Sequence, residues 1–305
     1  MRNEFFAILM LLSLTVSAQD IRIRGISRVR PDDRSQYMLA GVVPGSHYLL
    51  VTGEGYTGLS ILDWRNGEVR QISNDDGAGY EPAVTADGRN LVYRSNDFSG
   101  SRKLTSVYCY DIEAGKNEII ISRERDVLTP SVYGNTVLIK SGKAARVKDF
   151  DTLTLKSTET KTFVVIEDMT PVLYRGDEKK TLKPNGEGYY IWASLSPDGS
   201  KIVYNYQGRG TYICDTEGKI LHHLGRVDAP RWLNDKIVIG MDDRDDGHRI
   251  TSSELVYYSL PEKSRKILTR TPDRTEVYPR PFDSGRRIAF STVEGGIYVM
   301  KIRVR

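Results

Sequence analysis

Three acidic and four aromatic side chains could together form a binding site, because each stands just before the same point of a sequence repeat. Carboxylates attract cations, and aromatic rings stack on sugars or on cationic groups. Such a set would suit a basic peptide, a cationic ligand or a sugar. In the alternative, the rings pack in the core and the acids hydrogen-bond neighbouring turns. The candidates are Glu81, Asp228, Glu276, Tyr80, Tyr190, Trp192 and Tyr278.

Other chemistry is sparse. The chain has four histidines, and two of them, His222 and His223, are adjacent on a predicted strand and so point to opposite faces. Residues 242–247 (DDRDDG) resemble a calcium loop, but Arg244 occupies the third ligand position and Ser253 the twelfth, where a bidentate Glu is needed. We therefore predict a solvated turn there, and no metal, cofactor or catalytic residue.

A repeat of short strands and turns must position the candidate residues. Its clearest copy has an apolar segment at residues 191–195, a turn at residues 196–199 (SPDG) and a β-branched and aromatic strand at residues 202–204. A second glycine-rich turn then leads to another strand at residues 211–214. This arrangement is typical of an antiparallel sheet.

The repeat recurs six times, each copy having an Ala or Pro followed seven or nine positions later by an apolar triplet. We call these Ala or Pro residues the reference positions. Periods of roughly 40 to 50 residues made of short strands are typical of β-propellers, in which one repeat forms one four-stranded blade. We predict an all-β propeller in which the segment before each reference position lines one mouth of the channel. The six positions are Ala40, Pro82, Pro130, Ala193, Pro230 and Pro279.

One repeat is irregular, because 63 positions separate Pro130 from Ala193. The polar residues 143–160 read as an insertion, and the apolar segments after them read as the remaining strands of the same blade. Neither half reaches the usual repeat length, which favours six blades. If the halves are instead two short blades, the propeller has seven.

The two ends of the propeller complement each other. Residues 19–30 alternate apolar and basic types, as a strand does, whereas the last repeat, from Pro279 to Arg305, has room for about three strands. We therefore expect the N-terminal strand to form the outer edge of the last blade and to close the ring. Five basic residues would then cluster there, either to prevent edge-to-edge aggregation or to dock an anionic glycan or lipid headgroup. They are Arg22, Arg24, Lys301, Arg303 and Arg305.

Residues 1–18 have the pattern of a signal peptide, with an apolar core too short to span a bilayer and small residues before a predicted cleavage after Ala18. The protein is therefore expected in the periplasm or secreted. No later segment is apolar enough to cross a membrane, and no linker divides residues 19–305. We predict that they form a single propeller domain.

Charge and cysteines exclude other classes. The 44 basic and 40 acidic residues are interspersed, giving a net charge of +4, which is unlike the concentrated basic surface of a nucleic-acid-binding protein. Cys109 and Cys214 fall in corresponding strands of different repeats, so we expect two buried thiols and no disulfide.

Several motifs resemble the repeats of TolB-like six-bladed propellers. They are residues 196–199 (SPDG), 230–232 (PRW), 242–247 (DDRDDG) and 297–300 (IYVM). This resemblance implies a periplasmic or cell-surface protein that binds partners across one face and at the mouth of its channel. The chain differs from TolB in having only about twenty residues before the first blade, and from propeller peptidases in having no G-x-S-x-G motif.

From these features we predict an exported, non-catalytic interaction module of the bacterial cell envelope. Its partner would be an envelope protein or an exported peptide or glycan, and the protein would be a monomer. One alternative is a carbohydrate-active enzyme, a polysaccharide lyase or hydrolase, with its site at the channel mouth. Another is a periplasmic ligand sensor.

Overall fold

A computed structural model describes residues 20–99, 102–150 and 161–305. The predicted signal peptide lies outside these residues. The described residues form 26 β-strands in seven antiparallel sheets, with one short 3-10 helix, Glu54–Tyr56. Each sheet is one blade of a closed ring, and we number the blades 1 to 7 in the order in which their inner strands occur in the chain.

Four blades are four-stranded meanders in which consecutive strands pair. Blade 1 contains β2 (Met38–Val42), β3 (Tyr48–Thr52), β4 (Leu59–Asp63) and β5 (Val69–Ser73). Blade 2 contains β6 (Ala83–Val84), β7 (Asn90–Asp97), β8 (Leu104–Asp111) and β9 (Lys116–Glu124). Blade 5 contains β16 (Tyr190–Leu195), β17 (Lys201–Tyr206), β18 (Gly210–Asp215) and β19 (Ile220–Gly225). Blade 6 contains β20 (Asp228–Asn234), β21 (Ile237–Asp245), β22 (Ile250–Ser259) and β23 (Ser264–Ile267).

Blades 3 and 4 have three strands each within the described residues. Blade 3 contains β10 (Ser131–Tyr133), β11 (Thr136–Ser141) and β12 (Ala144–Asp149). Blade 4 contains β13 (Thr162–Glu167), β14 (Thr170–Arg175) and β15 (Glu178–Thr181). The prediction of six blades is therefore wrong. The long repeat holds two sheets, because three-stranded blades need fewer residues than the usual four-stranded repeat. Part of the predicted insertion, residues 151–160, lies outside the described residues.

The chain enters blade 4 from an unusual direction. Lys161, just before β13, contacts Thr136 and Asp149, which lie where β11 begins and β12 ends. At the other end of β13, Met169 O in the following turn accepts a hydrogen bond of 2.8 Å from Tyr190 N at the start of β16. Strand β13 therefore ends at the face of the disc where β16 begins, and the two strands run in opposite directions.

Blade 7 joins the two ends of the described chain. It contains β24 (Glu276–Phe282), β25 (Arg287–Thr292) and β26 (Ile297–Val304), and β1 (Ile21–Val29) is its outermost strand. Strand β1 pairs with β26 from Ile21↔Val304 to Val29↔Ile297. The prediction that the N-terminal strand closes the ring on the last blade is confirmed.

The hydrophobic core is divided among the contacts between blades. Seven clusters of buried residues are present in the described chain, and each combines residues of two neighbouring blades. Within one strand the side chains alternate between clusters: Leu49 and Val51 face blade 7, whereas Leu50 faces blade 2. Seven interfaces among seven sheets give a closed ring.

The two cysteines belong to different interfaces. Cys109 packs between blades 2 and 3, and Cys214 packs between blades 4 and 5. Both are buried free thiols, as expected. Burial raises the pKa of Cys109 to about 11 and that of Cys214 to about 12.

A backbone irregularity recurs in the innermost strands. The pairing of β16, β20 and β24 with their neighbours shifts register beside the reference position. The residue before that position has a positive φ in four blades: Glu81 (46°), Trp192 (55°), Ala229 (46°) and Tyr278 (54°). A bulge bends the strand and redirects its side chains. It therefore determines which residues turn toward the channel.

Candidate functional site

Glu81 connects three blades across the channel. It stands just before the inner strand of blade 2, and its carboxylate accepts hydrogen bonds from Arg231 of blade 6 and Arg280 of blade 7. Arg231 Nη2 lies 2.6 Å from Oε1, whereas Arg280 bonds both oxygens, with Nη2 2.8 Å from Oε1 and Nη1 3.2 Å from Oε2. Such two-pronged pairing of a guanidinium with a carboxylate is both strong and directional.

These three side chains remain in contact with solvent. The exposed fractions are 33% for Glu81, 19% for Arg231 and 15% for Arg280. Burial alone would raise the pKa of Glu81, but the charges of Arg231 and Arg280 outweigh it and lower that pKa to about 2. Burial, with the repulsion from Arg280, lowers the pKa of Arg231 to about 10. Glu81 and Arg231 are therefore both charged at neutral pH.

Aromatic rings and a further arginine surround this ion pair. Tyr56 and Tyr80 meet edge to face, with ring centroids 5.0 Å apart, and the guanidinium of Arg94 lies 5.2 Å from the centre of the Tyr80 ring. Arg94 is buried, and its Nη1 donates to Val127 O at 3.4 Å. Its Nε has no hydrogen-bond partner among the described residues. Tyr278, half-buried, has its pKa raised by burial and by the nearby charges of Asp243 and Glu81.

The balance of charge in this cluster is positive, since three guanidinium groups face one carboxylate. We call the set of Tyr56, Tyr80, Glu81, Arg94, Arg231, Tyr278 and Arg280 the arginine mouth. The sequence had led us to expect an acidic opening. The structure places there an acid that is already neutralised by two arginines.

A pair of carboxyl groups lies beside the arginine mouth. Asp228, at the start of β20, accepts a 2.7 Å hydrogen bond from Asn205 Nδ2. Burial and then the proximity of Asp243 raise the pKa of Asp228 to about 6. A proton on one carboxyl can hydrogen-bond the other. Asp228 therefore changes charge at about pH 6.

Two predicted site residues lie inside the protein. Glu276 has no exposed surface; the hydroxyls of Thr269 and Thr271 donate to it, and Arg274 Nη2 lies 3.9 Å away. Burial raises its pKa. Tyr190 is also fully buried, and its hydroxyl donates to Gly186 O at 2.7 Å. Both side chains hold loops in place rather than facing the channel.

The remaining predictions divide between the mouth and the core. Tyr80, Glu81 and Tyr278 lie together in the arginine mouth, and Asp228 lies beside it. Trp192 is half-buried and packs against the core between blades 6 and 7.

Sequence reasoning missed Tyr56, Arg94, Arg231 and Arg280. A signal for the last two existed, because each directly follows the proline of a reference position and is brought to the channel by the same bulge. Arg94 lies on β7, the second strand of its blade, and Tyr56 is the last residue of the short 3-10 helix. No repeat marks those positions.

Within the described part of the chain, no group of three or more His, Cys, Asp or Glu side chains is placed to hold a metal ion. The turn predicted at residues 242–247 is only partly correct, because residues 242–245 are the end of β21 and pair with β22, and the turn itself is residues 246–249. The carboxylates of Asp245 and Asp246 accept hydrogen bonds from backbone N–H groups of this turn. No helix of the described residues is long and apolar enough to span a membrane.

Comparison with known proteins gives the fold. No protein-family model matches the sequence, and no curated protein matches it. The solved structures do. A chain of the mitotic checkpoint complex superposes with a TM-score of 0.62 at 12% identity, over 99% of this chain and 98% of that one. The chain is a seven-bladed β-propeller.

A second match to this propeller is an oligogalacturonate lyase in complex with manganese, with a TM-score of 0.50 and 16% identity over 86% of this chain and 76% of that one. At such identities the likeness shows the fold alone. The resemblance to TolB-like six-bladed propellers, inferred from four short motifs, is wrong, because the ring has seven sheets.

Proposed function

We propose that this propeller is an exported, non-catalytic binding module of the bacterial cell envelope. Its partner is an envelope protein that places an acidic group in the arginine mouth. The observation that carries the proposal is the excess of guanidinium groups over carboxylates around Glu81, in side chains that keep 15 to 33% of their surface exposed. Export rests on the sequence of residues 1–18.

The chemistry of the arginine mouth favours binding over proton transfer. A general acid or base works best when its pKa is near the working pH. The two arginines pull the pKa of Glu81 to about 2, which makes it a poor base. Arginine forks, in contrast, are suited to recognising carboxylates and phosphates.

A thermal-shift titration tests the ligand class. The mature protein is heated with succinate, phosphate or galacturonate, and in parallel with glucose and with spermine. A ligand that binds only the folded state raises the melting temperature by mass action. We expect stabilisation by the anions and none by spermine. Stabilisation by spermine alone would show that the mouth binds cations and would overturn the proposal.

Crosslinked pull-down from bacterial envelopes, with mass spectrometry, tests the partner class. The variant Glu81→Gln/Arg231→Gln/Arg280→Gln removes all three charges, so that no ion is left unpaired. Its matched control is Arg89→Gln/Glu113→Gln, an ion pair whose side chains are 65% and 81% exposed. Partners should be lost in the first variant and retained in the second. If the triple variant captures the same proteins as the unmodified chain, the mouth is not the binding site.

One observation supports the enzymatic alternative. Asp228 has a pKa raised to about 6 by burial and by Asp243, which lies near the Tyr278 ring, and an acid–base catalyst on a glycan needs such a raised carboxyl pKa. Turnover of any member of a glycan panel that is lost in Asp228→Asn would replace the binding-only function by a carbohydrate-active one.

A further inference from the structure

A basic cluster lies at the outer edge of blade 7, where β1 pairs with β26. Its residues come from β1 and β26, which are paired so that Arg22 stands opposite Arg303. None of the five side chains makes an ion pair or a side-chain hydrogen bond within the described residues. Most of the described ion pairs lie on other blades. The cluster consists of Arg22, Arg24, Lys301, Arg303 and Arg305.

The five charges repel one another. The pKa of Arg305 is lowered, first by the charge of Arg22 and further by Arg303 and Arg24. Asp20 is the acid whose charge acts on Arg305, and it also pairs with Lys266 at 3.5 Å. Five basic side chains therefore face one shared carboxylate, and the local field stays positive. An anionic partner would relieve it.

The same place offers an open edge of a sheet. Strand β1 is the outermost strand of blade 7 and pairs only with β26 among the described strands. It is nine residues long, as is β9 of blade 2, whereas the outermost described strands of the other five blades have four to six residues. Propellers usually keep their outer edges short. The backbone donors and acceptors on the free side of β1 are available to another strand.

The basic side chains of β26 have the same spacing as alternate side chains of a strand that would pair with β1. Side chains two positions apart on a strand lie about 6.6 to 6.8 Å apart on one face, which separates Lys301 from Arg303 and Arg303 from Arg305. A strand added to β1 would present alternate side chains at the same interval. Ile23 of β1, which has 37% of its surface exposed, offers an apolar contact to the added strand.

A groove beside the outer edge of blade 7 can hold the side chains of such a strand. It has a volume of about 620 Å³ and is lined by Arg24, Lys301 and Arg303, by Arg286 of the turn between β24 and β25, and by Asn234 of blade 6. Four of its nine lining residues are basic. It contains no acidic side chain.

We propose that β1 is a docking edge for an acidic, extended segment of a partner protein, which adds as a further strand to blade 7. This surface is separate from the arginine mouth. The partner pairs with the backbone of β1 and places Asp or Glu side chains, at alternate positions, against the basic cluster. The same positive charge prevents two copies of this propeller from pairing edge to edge, so it both excludes the wrong partner and attracts the right one.

The test measures binding of the mature protein to a fluorescent peptide of alternating glutamate and valine by anisotropy. The control peptide alternates glutamate and proline; it has the same charge but lacks an N–H at every second position. We expect the valine peptide to bind at least tenfold more tightly than the proline peptide, more weakly at high salt, and to protect amides of β1 from hydrogen exchange. Equal binding of the two peptides, or no binding, would overturn the proposal.

Paired variants locate the site. Arg22→Glu/Arg303→Glu should lose at least tenfold in affinity, whereas Arg209→Glu/Arg249→Glu, the same charge change at exposed positions of blades 5 and 6, should stay within twofold. Tighter binding of polygalacturonate or of anionic vesicles than of the peptide would assign the edge to a glycan or a membrane instead, and overturn the proposal. Glu81→Gln/Arg231→Gln/Arg280→Gln should bind the peptide normally, so that failure here and failure of the mouth are separable.

Discussion

Glu81 and Arg280 are 199 positions apart in the chain, yet Arg280 Nη2 lies 2.8 Å from Glu81 Oε1. The contact joins blade 2 to blade 7 past the whole width of blade 1. No sheet hydrogen bond links these blades, so the ion pairs of Glu81 tie together inner strands of blades that are not neighbours in the ring.

Replacing Glu81 with Gln should destabilise the protein, because Arg231 and Arg280 lose their counter-charge. Removing one partner of a buried pair costs about 3 to 5 kcal/mol; for side chains that keep partial exposure we expect about 1 to 3 kcal/mol.

This destabilisation should depend on pH. The pKa of Glu81 is depressed to about 2, so the contribution of Glu81 to stability is present above its ordinary pKa of 4.5 and is lost as pH falls toward 2. Urea unfolding at pH 7 and near pH 3 measures this. The control is Glu113→Gln, which removes the acid of an exposed ion pair. If the free energy of unfolding differs between the Glu81 variant and the unmodified protein by the same amount at both pH values, the prediction is contradicted.

Replacing Asp228 with Asn should change how stability depends on pH. The pKa of Asp228 is raised to about 6 from 3.8, so ionisation costs stability as pH rises through that interval. Asn cannot ionise and can still accept the hydrogen bond from Asn205. We expect the variant to be more stable at pH 8, by on the order of 1 kcal/mol, and nearly equal at pH 4. Thermal melts across that range decide it; Asp273→Asn, at an exposed position, should follow the unmodified protein.

Truncating Leu173 to Ala should test whether blade 4 is part of the ring. Leu173 is 4% exposed and packs between blades 4 and 5. A cavity there should cost about 2 to 5 kcal/mol. Leu221→Ala, where the residue is 41% exposed, should cost far less. If chemical denaturation gives both variants the same midpoint, residues 162–181 are only attached to the ring and are not one of its blades.

The two thiols should be inert in the folded protein. Burial raises the pKa of both cysteines, and the thiolate is the reactive form. Ellman's reagent should titrate almost no thiol at pH 8 until denaturant is added, and then two per chain. Rapid reaction of one thiol without denaturant would show that its blade interface opens.

The sequence was sufficient for the blades that follow the common repeat and for the closure of the ring. Four of the six reference positions, Ala40, Ala193, Pro230 and Pro279, coincide with bulges of the inner strands, and residues 19–30 carried the alternation of a real strand. The count failed at blades 3 and 4. Repeat length is a poor guide to these blades, which have three strands each among the described residues, and β13 enters its blade from the opposite face.

The site was predicted only in part, for a local reason. The residues before each reference position were expected to share one environment, but a bulge turns successive side chains in different directions. Tyr80, Glu81 and Tyr278 therefore reach the mouth, whereas Tyr190 and Glu276 enter the core. The arginine partners of Glu81 come from blades 6 and 7, and a pairing between such distant repeats leaves no trace in a single sequence.

The position of β1 has a consequence for the order of folding. Strands β2 to β23 find their partners within nearby stretches of chain, whereas β1 pairs only with β26 among the described strands. The first of these strands to be synthesised is thus the last to find its partner, and β1 stays unpaired until the chain is almost complete. Ring closure is then a late kinetic event, and the reverse step, separation of β1 from β26, is where unfolding of the finished protein should begin.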